Sequence, residues 1–309
     1  MLKKLLIQTS KMKFEYISQR DEPTLIKHFF HHLELPRGFT TAVKFGGAIL
    51  LNNKPVTVRA VIHKGDTLTL IAPDEKGHDT VIPSFEPIEI VYEDRDVLVV
   101  NKPADVVSIP SIKDPDGAMA NRIKGYYVRQ QYADQVIHIV TRLDRDTTGL
   151  MLIAKHRLAH AYLDRQIKNR DIKKIYYAIS AQSAWPAHGL IDAPIARSET
   201  SLITRQVHES GKQAQTEYWL HQSLSDSALL KLQLHTGRTH QIRVHLAHQG
   251  GPLVGDDLYG GPLTSGLSRQ ALHCGELAFL HPFTGEWIVL HSPLPQDMQQ
   301  WLDEHRLEK

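Results

Sequence analysis

Between His138 and Lys155 the chain reads HIVTRLDRDTTGLMLIAK, two apolar runs on either side of a charged centre. Short runs rich in Val, Ile and Leu are buried strands. The centre, Arg142-Leu143-Asp144-Arg145-Asp146, is too charged to continue inside a core, and Thr147-Thr148-Gly149 is a turn signal. The segment therefore predicts a charged connection between two buried strands. Loops held on a rigid sheet are common places for catalytic groups. Asp144 lies between two arginines, and nearby positive charge favours the carboxylate form, which suits a nucleophile better than a general acid. On these residues alone, a salt-bridged turn capped by Asp146 reads equally well.

The remaining pattern predicts an α+β chain. Strands are expected over PIEIVYED, DVLVVNKP, QVIHIVTRLD, GLMLIAK, IYYAISA, ALLKLQLHTG and EWIVLHSP, and helices over DGAMANRIKGYYVRQQ, HRLAHAYLDRQIKN, THQIRVHLAHQG and PQDMQQWLDEHR. Strands and long helices do not alternate regularly, and neither a GxGxxG nor a P-loop pattern occurs. A doubly wound nucleotide-binding fold is excluded in favour of a mixed, largely antiparallel sheet with flanking helices. Ahead of it stands a small α+β module. TLIKHFFHHLEL has helical spacing with Thr24 or Asp21 as cap, TTAVKFGG is a second helical stretch, and AILLNNKPVTV is a hairpin turning at Asn52-Asn53. The expected organisation is a module over 1–75, a linker over 76–87 and a main domain over 88–309. The charged, Pro- and Gly-containing linker predicts little packing across it.

Composition narrows the partners. With 41% hydrophobic and 23% charged residues and a net charge of +2, the chain is an ordinary globular one, and any polyanion must meet clustered basic residues. The single cysteine, Cys274, excludes an internal disulfide and suits a cytoplasmic setting. No signal peptide is expected in MLKKLLIQTSKMKF, and no stretch is long and apolar enough to span a membrane.

Two further stretches bear on chemistry. In LQLHTGRTHQIRVHLAHQGGPLVGDDLYGG, residues 232–261, a strand ends at Thr236-Gly237 and a helix starts near Thr239. This places Arg238, His240, Arg243 and His245 about a helix N-terminus, a ready anion site. An amphipathic helix with solvated arginines is the plainer alternative. His235, His240, His245 and His248 lack a metal-ligand spacing, so no metal is expected. In IKKIYYAIS, Lys173, Lys174, Tyr176 and Tyr177 lie on a strand whose alternation turns one tyrosine inward. Rings beside lysines suit a flipped base, although strand packing explains them as well.

Taken in order, RLDRDTTGL, IKKIYYA and TGRTHQIRVHLA followed by GPLVGDDLYGG resemble the RNA pseudouridine synthases of the RluA and RluD type. DVLVVNKPADVVSIPS and ALHCGELAFLHPFTGE match weaker patterns of that family, and the resemblance covers residues 88 to 300. The first unit resembles the S-four-like RNA-binding module found in front of such domains. The resemblance implies a cofactor-free isomerase of uridines in ribosomal or transfer RNA, expected as a monomer. Asp144 matches its catalytic aspartate, Tyr176 its active-site tyrosine and Arg243 the arginine that pairs with the aspartate. Arg142 corresponds to an arginine that enters the RNA stack when the base flips. Arg238 and Lys174 are expected to contact substrate. Thr141 and Asp105 depart from the family pattern, the latter where Gly is usual; a residue with a Cβ tolerates positive φ poorly, which leaves the local turn geometry open. A two-carboxylate glycoside hydrolase with Asp146 as second acid, and a non-catalytic RNA binder, are the rival readings.

Overall fold

Packing on both faces explains how the seven-residue strand Thr148–Ala154 can be buried throughout. The computed structural model describes residues 11–75, 81–112, 114–201, 203–264 and 266–306. The opening residues 1–10 and part of the expected linker, 76–80, lie outside the described residues, including most of the stretch expected to carry no signal peptide. The first unit runs β1 (Lys13–Ile17), β2 (Thr24–Leu25), α1 (Ile26–His32), α2 (Arg37–Gly46), β3 (Ala48–Leu51), β4 (Lys54–Pro55), β5 (Val61–Ile62) and β6 (Thr67–Ile71). Its main sheet has the order β1-β6-β3-β4. Asn52 and Asn53 have φ of 49° and 65°, the left-handed pair a two-residue β3–β4 turn requires. Thr24 does not cap a helix. It pairs with Ile62 in β5, and α1 starts after Leu25 with no side-chain cap.

The main domain follows as β7 (Glu89–Glu93), β8 (Val97–Lys102), α3 (Met119–Arg129), β9 (His138–Ile139), β10 (Thr148–Ala154), α4 (Arg157–Asn169), β11 (Lys173–Ser180), β12 (His188–Asp192), β13 (Ile195–Arg197) and β14 (Arg205–Val207). It continues with β15 (Gln215–Ser223), β16 (Ala228–Leu234), α5 (Gln241–His248), a 3-10 turn Asp257–Tyr259, β17 (Leu272–Leu280), β18 (Trp287–His291) and α6 (Gln296–Glu304). The sheet order is β12-β15-β16-β11-β17-β10-β8-β7, with β18 on β17 and β9 on β10. The β10–β17 pair is parallel and the other pairs are antiparallel. Strand β10 is buried at every residue because Leu150 and Leu152 share one core with Ala159 and Leu163 of α4, while Met151 and Ile153 share another with Met119, Ile123 and Tyr127 of α3. Gly149, the second residue of β10, has φ 113°, and a Cβ there would lie 2.3 Å from the Cys274 carbonyl oxygen in β17.

Strand β17 is the central element that the pattern did not single out. Gly275 interrupts its apolar run, and the reason lies across the sheet: a Cβ at that position would lie 2.7 Å from the Tyr177 ring. The expected strand over QVIHIVTRLD shortens to His138–Ile139, with Val140 and Thr141 both bonded to Leu152 O before the chain enters the Asp144 loop. Asp105 takes φ 58°, so the turn keeps a left-handed geometry although the residue carries a Cβ.

The expectation of little packing across the linker is corrected by the structure. Leu158 of α4 belongs to the apolar core of the first unit with Phe14, Phe29 and Leu70, and Tyr162 and Phe283 pack against it. Phe14 stacks on Phe283 at 5.5 Å between centroids, and Arg165 Nη1 meets Glu34 Oε2 at 2.6 Å. Burying a large apolar side chain contributes roughly 1.5–3 kcal/mol. Removing residues 1–75 should therefore lower the thermal midpoint of the remaining domain and raise binding of a hydrophobic dye to the uncovered Leu158 and Phe283. A truncated protein that melts like the full chain and binds no more dye would show that the contacts across the junction carry no stability.

Candidate active site

The loop carrying Asp144 is pinned from beneath. Lys102, at the end of β8 and 1% exposed, donates to the carbonyl oxygens of Pro103 at 2.8 Å, Val106 at 2.7 Å and Arg145 at 2.6 Å. Three acceptors call for three N–H groups, so this geometry is that of an ammonium. Burial pushes its pKa down to about 7, with Asp146 and Asp144 drawing it back up. Ser108 Oγ accepts from Leu143 N at 3.0 Å and donates to Leu143 O at 2.7 Å. Thr147 N closes the turn onto Asp144 O at 3.2 Å. The backbone around Asp144 is thus held at 143, 144 and 145 while its side chain projects into a cleft of about 650 Å³.

The six residues to which the resemblance gives catalytic or substrate-binding roles line that cleft: Arg142, Asp144, Lys174, Tyr176, Arg238 and Arg243. Asp144 is the single carboxylate among the described lining residues. Asp146 does not line it. Its carboxylate is held by Arg145, at 3.1 Å from Nη2, and this removes the second acid a glycoside hydrolase would need.

Arg243 lies in the first turn of α5 and is buried, but its main partner is not Asp144, the residue with which the resemblance pairs it. Nε and Nη2 form a fork on Asp256, 2.7 Å to each oxygen, and Asp256 is 1% exposed. The remaining nitrogen, Nη1, is 4.0 Å from Asp144 Oδ2. Burial works against the charge on Arg243, but Asp256 and then Asp144 outweigh it, and its pKa lies above the usual arginine value. The guanidinium also sits over the Tyr259 ring at 4.9 Å. Asp256 and Tyr259 lie in GPLVGDDLYGG, a segment quoted for the resemblance but given no role. A buried acid between glycines was the signal available there.

Tyr176 is buried on β11 and faces the cleft, whereas Tyr177 points to the other side, its hydroxyl 2.8 Å from Glu276. Burial first, then the neighbouring Cys274 and Asp144, raises the pKa of the Tyr176 hydroxyl well above the ordinary value. Lys174, two residues earlier on the same face, holds its ammonium 5.9 Å from the Tyr176 centroid, and burial lowers its pKa. Arg142 is exposed at the mouth. Arg238 is exposed too, with its Nε donating to Gln213 O at 3.0 Å. Three of the four histidines considered above have separate partners: His235 meets Glu217, His240 meets Tyr259, and His245 meets Thr216 and Ala193. No described helix is long and apolar enough to cross a membrane.

Comparison with known proteins agrees with this geometry. The family model for RNA pseudouridylate synthase matches residues 96–248, from the start of β8 to the end of α5. An uncharacterized RNA pseudouridine synthase of Bacillus subtilis (strain 168), YjbO, is 43% identical over 276 residues, covering 89% of this chain and 97% of its own. The ribosomal large subunit pseudouridine synthase D of Vibrio parahaemolyticus is 35% identical over 307 residues, covering 95% and 93%. Among solved structures, human RNA pseudouridylate synthase domain containing 4 superposes with a TM-score of 0.57 at 25% identity, covering 72% of this chain and 94% of that one. By its cleft, its fold and these relatives, the chain belongs to the RluA/RluD-type RNA pseudouridine synthases, isomerases that act on RNA.

Proposed function

We propose that the chain converts uridine to pseudouridine in ribosomal RNA of the large subunit, with Asp144 acting on the ribose of a uridine flipped into the cleft. The observation that carries this reading is a lone cleft carboxylate on a pinned loop, 28% exposed at its side chain and 4.0 Å from a buried arginine. The named activity of the Vibrio relative favours large-subunit RNA as the substrate class. A cleft of about 650 Å³ is roomy enough for one nucleotide.

The reaction moves the sugar from a ring nitrogen to a ring carbon of the same base. Atoms and oxidation state are conserved, so the reading requires no cofactor. Flipping costs a few kcal/mol, offset by contacts to the base and by Arg142 entering the vacated stack. Asp144 then either attacks the anomeric carbon or removes a neighbouring proton. Arg243, clamped by Asp256, offers Nη1 to hold Asp144 charged and aimed. Tyr176 acts as a stacking surface, since burial keeps its hydroxyl protonated. Lys174 and Arg238 supply cations to the bound nucleotide and its phosphates.

The first unit has a surface that suits RNA. A groove along α1 and α2 is lined by Lys27, Arg37, Lys44, His31 and Phe45, with no acidic residue among its described lining. Phe45 is 77% exposed and carries the Lys44 ammonium 5.0 Å from its ring. Exposed rings beside cations grip single-stranded nucleic acid.

Asp144→Asn should abolish pseudouridine formation while leaving the melting temperature and RNA affinity near those of the wild type. Turnover that survives the change would take Asp144 out of the chemistry. Arg243→Lys leaves Asp256 facing a point charge in place of a fork. Breaking a buried pair costs about 3–5 kcal/mol, so Asp256→Asn should both destabilise the fold and depress turnover, and Arg243→Lys should depress turnover more than affinity. Wild-type rates in either variant would mean the clamp is dispensable. Replacing Lys27, Arg37 and Lys44 together by Ala should weaken RNA binding and flatten the slope of log K against log salt by about 0.7–0.9 per lost phosphate contact. An unchanged slope would assign RNA binding to the main domain alone.

A further inference from the structure

His240 is the cleft residue whose position the mechanism above leaves unused. It is the residue before α5, at φ 57°, a left-handed conformation that costs a residue with a Cβ and that clusters at functional sites. Its side chain makes no helix cap and lines the cleft with Asp144 and Tyr176.

The bonds around its ring suit the tautomer with its proton on Nε2. Nδ1 lies 2.8 Å from the Tyr259 hydroxyl oxygen, and that oxygen already accepts the backbone N–H of Arg205 at 2.9 Å. The hydroxyl is free to donate its own proton to Nδ1, and in that arrangement a neutral imidazole carries its proton on Nε2. Nε2 has no hydrogen-bond or ion-pair partner among the described residues. The charged groups around the ring are Asp144 from the pinned loop, Arg243 from α5, Arg205 from β14 and Asp256 before the 3-10 turn. Burial, the largest influence, lowers the imidazole pKa against the pull of Asp144, so the ring is neutral near pH 7.

We infer that His240 donates its Nε2–H to a uracil carbonyl in the cleft and stabilises the negative charge the base takes on as it leaves the sugar. This rests on the reading of the reaction given above. When the bond from C1′ to N1 breaks, the electron pair leaves with the base and spreads onto O2 and O4. A half-turn about the axis through N3 and C6 brings C5 to the place of N1 and exchanges O2 with O4. A donor fixed on the protein therefore meets a carbonyl before and after the turn. The new C5–C1′ bond then forms, the C5 proton leaves, and N1 takes up a proton. Cytosine presents an amino group at one of the two positions, so the same donor rejects it. A donor aimed at developing charge is worth about 100- to 1,000-fold in kcat.

The test uses the full-length protein and RNA carrying either uridine or 5-fluorouridine, whose base departs more readily as an anion. Single-turnover loss of the target nucleoside is followed for wild type, His240→Ala and Tyr259→Phe, with RNA affinity measured alongside. His240→Ala should lose about 100- to 1,000-fold on uridine with affinity nearly unchanged, and the loss should shrink clearly on 5-fluorouridine. Tyr259→Phe keeps a ring beneath Arg243 but removes the hydroxyl that can donate to Nδ1. It should show a smaller loss with the same substrate dependence, and it carries the test if His240→Ala does not fold. Equal losses on the two substrates, or no loss, would overturn the inference. So would a primary isotope effect at C5 appearing only in the His240 variant, which would make the ring the base for the last proton. Absence of pseudouridine with the wild-type protein would instead overturn the proposed reaction itself.

Discussion

A guanidinium only 6% exposed cannot keep its charge there without an anion, and Asp256, more buried still, supplies one through two contacts of 2.7 Å. The rest of the cleft is arranged around that pair. It occupies two of the three guanidinium nitrogens and leaves Nη1 toward Asp144 at 4.0 Å, close enough to hold a charge and too far to take the carboxylate out of use. It also ties the first turn of α5 to the 257–259 turn, whose Tyr259 lies under the guanidinium and reaches His240. A single buried fork thus sets an arginine, a histidine and the electrostatic surroundings of the carboxylate.

The opposite wall depends on the sheet. Strands β8, β10 and β17 are adjacent, and β10 is packed on both faces, so the loop leaving β9 and entering β10 has rigid ends. Lys102 and Ser108 fasten its middle to the chain after β8. The cleft opens between this fixed loop and α5, with the Tyr176 ring from β11 beside it. Catalytic groups on such a frame need little reorganisation when substrate arrives, which is where electrostatic stabilisation is most effective.

How much of this could be read beforehand follows from which forces are local. Strand β10 and helices α3 to α6 announce themselves by period and apolarity, and the Asn52-Asn53 turn by its need for positive φ. Asp144, Tyr176 and Arg243 stood out through long sequence strings, and the fold brings all three into one cleft. The Asp256 clamp did not stand out, because a partner 13 residues away is joined by a turn whose path no periodicity encodes. Strand β17 was hidden by Gly275, whose requirement is set by the Tyr177 ring on another strand. The seat of Phe14 on Phe283 joins residues at opposite ends of the chain, so a polar linker gave the wrong impression of independence.

Release of the hydrogen at C5 of uridine is the step that separates this isomerisation from hydrolysis and from mere binding. Large-subunit ribosomal RNA transcribed with uridine tritiated at C5 and incubated with the full-length protein measures it directly. The account predicts tritium appearing in water in step with a nucleoside that elutes as pseudouridine, with no free uracil and no release by the Asp144→Asn protein. Free uracil without matching pseudouridine, or tritium release that persists in the asparagine variant, would contradict it.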